Sequence, residues 1–172
     1  SVEDTNKLAN LAHQYTIPLY LDGARIFNAA AKLQVPVAQL CKSVDAVQFC
    51  LTKGLAAPFG AMLCGTAEFI EKARWMKQRL GGGFRQAGYM AAAGSIAIRL
   101  MQQQIAEDNE KASILATNLQ NFDMELVHWG NNMTNIICLD LNHCSISEEC
   151  FIQKLLEKNI KIMVSGKCYI IF

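Results

Sequence analysis

No block of like charges interrupts the 172 residues: 16 Lys and Arg stand against 15 Asp and Glu, for a formal net charge of +1. That balance disfavours a nucleic-acid or anionic-membrane partner, either of which calls for a basic face or stripe. Long apolar runs are missing too. The longest, from Ala87 to Ile98, contains Gly and Ser and falls short of the about 20 residues that a bilayer-spanning helix needs. Nothing at the start has the basic-then-apolar form of a secretory signal, so a cytoplasmic setting is the expectation. The seven cysteines, at 41, 50, 64, 138, 144, 150 and 168, include no CxxC pair, which favours reduced thiols packed like small hydrophobes over a disulfide framework. His143-Cys144 with Cys138 and Cys150 is the one cluster of ligand types; its spacing matches no common zinc module, and no metal is expected.

Hydrophobic residues make up 52% of the chain and charged residues 18%, the composition of a polypeptide that folds around a buried core. The length suits one domain, or one and a fraction. Periodicity predicts a helix over 3–14 with Leu8, Leu11 and Ala12 on one side, then a short strand from Ile17 to Leu21. A helix carrying Ile26, Phe27, Ala30 and Leu33 follows, then a short one over about 36–42. The runs Ala46 to Leu51 and Gly60 to Gly65 read as strands, the first nearly all apolar, as in a parallel sheet covered on both faces. A charged helix from Ala67 to Leu80 stops at Gly81-Gly82-Gly83. A long helix begins near Gln86, passes Met101, bends at Glu107 to Asn109 and ends near 121. The last third reads as a small α+β unit: strands at Glu125 to His128 and Asn135 to Leu141, a helix capped by Ser147, and strands near Ile160 to Val164 and Cys168 to Phe172. Residue 1 falls inside a helix and Phe172 in mid-strand, so both ends read as cut.

Two apolar strands end in unlike charges. LYLDGARIFNAA puts Asp22 and Arg25 after the first strand, and QFCLTKGLAAPFG puts Lys53 after the second. In open α/β sheets, ligands bind where the carboxyl ends of parallel strands present such side chains. A lysine buried there is the type that sheds its proton and acts as an amine nucleophile. Pyridoxal 5'-phosphate (PLP) uses both groups: a lysine holds its aldehyde as a Schiff base, and a carboxylate keeps its pyridine nitrogen protonated. Asp22 could hold the nitrogen, Lys53 the aldehyde, and Arg25 the ring hydroxyl or a substrate carboxylate. The plainer alternatives are an Asp that caps a turn and a solvated Lys. Gly81-Gly82-Gly83 before Phe84-Arg85-Gln86 could offer amides and Arg85 to a phosphate at a helix start, or could be a helix stop and hinge.

In this order and spacing, LDGARIFNAA, FCLTKGLAAPFGAMLCG and LGGGFRQAGYMAAAG resemble the threonine aldolase branch of the fold type I PLP enzymes. The resemblance covers nearly the whole chain. It implies an α/β fold: residues 1–106 as the C-terminal part of a PLP-binding large domain with its long connecting helix, and 107–172 as a small α+β subdomain. It further implies that Lys53 is the Schiff-base lysine, with Thr52 in a position usually held by Ser, and that Asp22 pairs with the pyridine nitrogen. By the same resemblance Arg25 lies near the ring oxygen and substrate carboxylate, and Arg85 serves the cofactor phosphate across a subunit interface. The implied activity is cleavage of threonine or allo-threonine to glycine and an aldehyde, in a homodimer or homotetramer. The chain departs from the family in having Tyr20 where a His usually precedes the motif Asp. Its last arginine is Arg99, so it lacks a late arginine for the substrate carboxylate. It also lacks the glycine loop for the phosphate and the ring-stacking residue. His13, His128 and His143 match no motif, and the general base is unassigned. Two alternatives stay open: another fold type I PLP lyase or aminotransferase, and a catalytically incomplete fragment without independent activity.

Overall fold

A computed structural model of the chain describes residues 1–165 and 168–171, with side chains through Met163. It forms two compact units, residues 1–106 and 107–172.

In the first unit, α1 (Val2–Gln14) opens on a capping box. The Ser1 hydroxyl accepts the Asp4 N–H, and the Asp4 side chain reaches back to the Ser1 backbone. Its buried side is Ala9, flanked by half-buried Val2, Thr5, Asn6 and Ala12, while Leu8 and Leu11 face outward. The expected leucine face is therefore inverted: Val2 joins the core beside α2 and α3, and the helical repeat carries Ala9 inward with it.

Strand β1 (Tyr20–Asp22) pairs in parallel with β2 (Ala46–Cys50), setting Asp22 against Gln48. Between them lie α2 (Ile26–Leu33) and α3 (Val37–Leu40). Ile26 and Ala30 of α2, Leu40 of α3 and Val47 of β2 form one buried cluster. Phe27 meets Phe49 edge-on at 5.3 Å, a second tie between helix and sheet. Strand β3 (Ala61–Gly65) runs antiparallel to β2, in the order β1-β2-β3. All five residues of β3 are exposed, whereas Ala46 and Val47 of β2 are buried. The hand of this pairing follows from the connection. A parallel return needs a crossover of about a dozen residues or more, whereas residues 51–60 contain no helix and turn back through Ala56 and Gly60, both at positive φ.

Helix α4 (Ala67–Arg79) is capped by Thr66 and has no buried residue. Helices α5 (Gly88–Leu100) and α6 (Gln102–Phe122) meet at Met101, and residues 107–109, where a bend was expected, are regular helix. The Gln102 side-chain amide donates to the Ile98 carbonyl at 3.0 Å and Arg99 Nε to the Ser95 carbonyl at 3.2 Å, engaging acceptors that the helix ladder uses.

In the second unit, β4 (Ile137–Leu139), β6 (Cys168–Ile171) and β5 (Met163–Ser165) form an antiparallel sheet in that order. Helix α7 (Glu148–Glu157) starts at Ser147, whose hydroxyl accepts the Cys150 N–H. Ala116, Val127, Ile137 and Leu139 are its buried core. The expected strand at 125–128 is reduced to a single bridge, Val127 to Leu139. Of the expected final strand, Phe172 lies outside the described residues. Among the described residues, no helix is long and apolar enough to cross a membrane.

Candidate functional site

Because β1 and β2 are parallel neighbours, their carboxyl ends share one edge of the sheet, and that edge carries Asp22 and the Lys53 loop. The turn after β1 is drawn tight. Asp22 Oδ1 accepts the Ala24 N–H at 3.1 Å, Ile26 N–H reaches the Gly23 carbonyl, and Gly23 N–H donates to the Gln48 carbonyl at 2.8 Å. A Cβ on Gly23 would stand 2.8 Å from that same carbonyl oxygen and 3.0 Å from Val47 Cγ2. Glycine is therefore required by close approach of two backbones, at an ordinary φ.

Gln48 is the site residue that sequence reasoning missed. Its side-chain amide donates to Asp22 Oδ1 from the register position directly opposite. The signal was present: Gln48 is the lone polar side chain in the strand AVQFC. Asp22 is exposed, and two donors on one oxygen fix the attitude of its carboxylate. Arg25, half-buried as the N-cap of α2, has its pKa drawn below the ordinary arginine value by burial, with Cys50 nearby opposing the shift. It remains a cation at neutral pH.

Lys53 lies on a loop anchored from inside. Leu51, Leu55 and Ala57 are buried with Ala97 of α5 and Ile105 of α6. Leu51 N–H donates to the Gly60 carbonyl, Ala57 N–H to the Leu51 carbonyl, and Ala56 N–H to the Lys53 carbonyl at 2.8 Å. A Cβ on Gly54 would come within 3.1 Å of Ile105 Cγ1 and 3.4 Å of Asn28 Oδ1, so the loop is seated on the buried Asn28 of α2. The Lys53 side chain itself is exposed, as is Thr52. The apolar enclosure anticipated for this lysine is thus not built by the described residues: the neighbours Leu51 and Leu55 point into the core and leave the amine outside.

Arg85 is exposed on the glycine turn after α4 and makes no ion pair among the described residues. That turn is tied to the Lys53 loop by stacking of Phe84 on Phe59, ring centres 5.9 Å apart. Three of its amides bond to the chain's own carbonyls. Gly81 N–H donates to the Gln78 carbonyl, Gly82 N–H to Lys77 and Phe84 N–H to Gly82. Gly81 also takes the left-handed φ of 82° that ends a helix. This geometry is that of a helix stop, one of the two readings the sequence offered for the three glycines. The adjoining groove of about 770 Å³, between β3 and α4, is lined by Phe59, Met62, Ile70 and Phe84 with Arg74 and Lys77. Asp22 and Lys53 do not line it; they stand on the open sheet edge.

A carboxylate held at one oxygen, a cationic guanidinium one turn on, and a primary amine over the next parallel strand make a set suited to a cofactor with a basic ring nitrogen and an aldehyde. Comparisons with known proteins agree with that chemistry. The profile of the beta-eliminating lyase family matches residues 1–142. Low-specificity L-threonine aldolase 1 of Arabidopsis thaliana is 39% identical over 166 residues, 96% of this chain and 46% of that protein. Low specificity L-threonine aldolase of Escherichia coli K12 is 33% identical over 133 residues, 77% of this chain and 40% of that protein. The chain thus spans about half the length, or less, of these relatives. Among solved structures, a putative L-allo-threonine aldolase of Listeria monocytogenes superposes with a TM-score of 0.78 at 22% identity, covering 99% of this chain and 49% of that one. A PLP-bound putative aminotransferase of Clostridium difficile superposes with a TM-score of 0.66 at 13% identity, covering 99% and 48%. Both share the fold.

Proposed function

Since the chain belongs to the beta-eliminating lyase family, we propose that its protein is a PLP-dependent aldehyde lyase acting on threonine or allo-threonine, with glycine and acetaldehyde as products. The observation that carries this reading is the shared sheet edge: Asp22, oriented by Gln48, beside the Lys53 loop at the ends of two paired parallel strands. Lys53 would bind the cofactor aldehyde through its amine, Asp22 the pyridine nitrogen, Arg25 the ring oxygen or the substrate carboxylate, and Arg85 the phosphate. When bound, PLP supplies an electron sink for a bond breaking at the substrate α-carbon.

The chain's own residues contribute orientation and charge. The amide of Gln48 and the backbone N–H of Ala24 both occupy Asp22 Oδ1, so the carboxylate cannot swing away from the sheet edge. An ionised Asp22 keeps a proton on a nitrogen set against it, because an adjacent anion favours the cationic form of a base. Arg25, an obligate cation on the same turn, offers paired N–H donors to a carboxylate or phenolate. Gly54 and the buried Leu55 hold the backbone that carries Lys53. A homodimer or homotetramer in the cytoplasm completes the proposal.

The test uses two readouts. Borohydride reduction of the protein equilibrated with PLP should leave a pyridoxyl group on the Lys53 peptide, and Lys53→Ala should abolish it. With threonine, acetaldehyde and glycine support the proposal, whereas ammonia and 2-oxobutyrate reject aldol cleavage for another PLP lyase. Because the aminotransferase of similar fold is PLP-bound, amino transfer to a 2-oxo acid is the third product to assay. Label on a different lysine would refute the role given to Lys53.

A further inference from the structure

The second unit holds a cluster that the proposed reaction does not use. Asp123 follows the last residue of α6, and His143-Cys144 lies in the turn between β4 and α7. One carboxylate oxygen, one imidazole nitrogen and the thiol sulfur all fall within 4.8 Å of one another. His143 Nε2 is 2.9 Å from Asp123 Oδ2 and 3.7 Å from Cys144 Sγ. The backbone presets these positions. Asp123 Oδ1 accepts the Glu125 N–H at 2.9 Å, which turns Oδ2 toward the imidazole. Cys144 N–H donates to the Leu141 carbonyl at 3.0 Å, and Asn142 N–H to Asp140 Oδ1 at 2.9 Å, closing the turn.

A nucleophilic triad would set the carboxylate on the ring nitrogen opposite the thiol. Here the carboxylate that hydrogen-bonds the imidazole, Asp123, shares Nε2 with the thiol, and the carboxylate on the opposite nitrogen, Glu125, stands beyond hydrogen-bond reach, so the arrangement is not a proton relay. Convergence on one point is the geometry of a ligand set. A tetrahedral ion with bonds of about 2.0–2.3 Å to nitrogen, oxygen and sulfur holds adjacent ligand atoms about 3.3–3.7 Å apart, and the 2.9 Å and 3.7 Å separations from Nε2 need only small adjustment to reach that. The other imidazole nitrogen, Nδ1, faces Glu125 Oε2 at 3.9 Å. A carboxylate on that side stands where the outer-shell partner of a ligating imidazole would be, one small side-chain movement from a hydrogen bond.

We propose that Asp123, His143 and Cys144 form a binding site for a zinc-class divalent cation, with Glu125 behind the imidazole and the fourth position open to water. The sequence pattern grouped Cys138 and Cys150 with His143-Cys144; the fold supplies Asp123 instead, 20 positions upstream. A mixed nitrogen, sulfur and oxygen set selects a borderline ion over magnesium or calcium, which take oxygen ligands. Binding displaces the Cys144 thiol proton to solvent, together with the Nε2 proton where the imidazole is charged. The ion would clip the end of α6 to the β4–α7 turn.

Cobalt(II) added to the metal-free, reduced chain tests this directly. One equivalent should give the near-ultraviolet charge-transfer absorption of a thiolate-bound ion, and one equivalent of zinc should remove it. Cys144→Ser should abolish the band, Asp123→Asn and His143→Gln should weaken cobalt binding by at least about tenfold, and Cys138→Ser and Cys150→Ser should leave it intact. A second measurement needs no substitution: zinc should slow alkylation of Cys144 by iodoacetamide, and not that of Cys138 or Cys150. Absence of the band, its survival in Cys144→Ser, or equal alkylation of Cys144 with and without zinc would overturn the site.

Discussion

Gly23→Ala probes whether the sheet edge is as tight as the coordinates show. The added methyl would sit 2.8 Å from the Gln48 carbonyl oxygen, 3.0 Å from Val47 Cγ2 and 3.2 Å from Ile26 Cβ. The first of these is backbone, and Val47 is a buried strand residue, so neither can move without opening the β1–β2 pair. Overpacking of this kind costs about 1–3 kcal/mol, and stretching the Gly23 N–H to Gln48 bond adds about 0.5–1.5 kcal/mol. Alanine restricts the unfolded chain and returns about 0.4–1 kcal/mol, leaving a net loss of about 0.5–4 kcal/mol, about 2 at mid-range. At a urea slope of about 1–3 kcal/mol per molar, the mid-range loss should lower the unfolding midpoint by about 1 M. The opened pair would also pull Gln48 from Asp22. The Lys53 adduct should still form, since its loop is anchored elsewhere, while turnover of threonine falls. A midpoint within about 0.2 M of the parent protein would refute the close approach and, with it, the argument that glycine is obligatory in this turn.

Other consequences are as definite. Leu55 is 2% exposed in the cluster under the lysine loop, so Leu55→Ala should lose about 2–4 kcal/mol in chemical denaturation and lower the yield of borohydride-trapped cofactor at Lys53. Ala56 holds a left-handed φ of 55°, which costs an L-residue about 1–2 kcal/mol. Ala56→Gly should therefore raise stability by about 0.5–1 kcal/mol after the extra freedom of glycine in the unfolded chain is subtracted, and a destabilised variant would argue against that turn. The Asp45 carboxyl is held below its ordinary pKa, first by the His13 imidazole hydrogen bond and then by the Leu19 N–H. A depressed folded-state pKa adds stability that is complete above the unfolded value of about 3.9 and disappears as pH falls through the lower folded one. Thermal melts across that acid range should show a shallower decline in Asp45→Asn than in the parent; parallel slopes would assign the acid sensitivity to other groups.

The elements with strong local signals were legible in sequence. Apolar periodicity located α4, the Ser147 cap located the start of α7, and the apolar run over 46–51 located β2 within one residue. What escaped was decided by partners distant in sequence. Leu8 and Leu11 point outward because α1 is oriented by Val2 against α2 and α3, and no periodicity count distinguishes a leucine face from an alanine face that packs more closely. The antiparallel hand of β3 was hidden because an apolar run does not state its direction; only the short link over 51–60 does. The break at Met101 left no mark in the sequence, whose helical pattern runs on from α5 into α6 with no Gly or Pro at the junction. Asp22, Arg25 and Lys53 were visible as charges after apolar strands, while Gln48 became a site residue only through the register that sets it opposite Asp22.

That partition bears on chemistry as well as folding. Two requirements are usually joined at a lysine nucleophile: its backbone must be fixed, and its amine must be removed from water. The described residues meet the first through Leu51, Leu55, Gly54 and Asn28 and leave the second unmet, since the side chains of Lys53 and Asp22 are both exposed. Orientation at this edge is therefore a local property of the fold, encoded by the close approach at Gly23 and by the amide of Gln48, whereas desolvation has to arrive with whatever covers the edge. The two can be separated by experiment. Changes at Gly23 or Gln48 should alter how a bound ring is held without altering access to Lys53, and changes at Leu55 should displace the amine without touching the carboxylate. A substitution at Leu55 that disturbed only the environment of Asp22 would mean that the two loops are coupled through the core, by way of Asn28 and α2, more tightly than their separate anchors indicate.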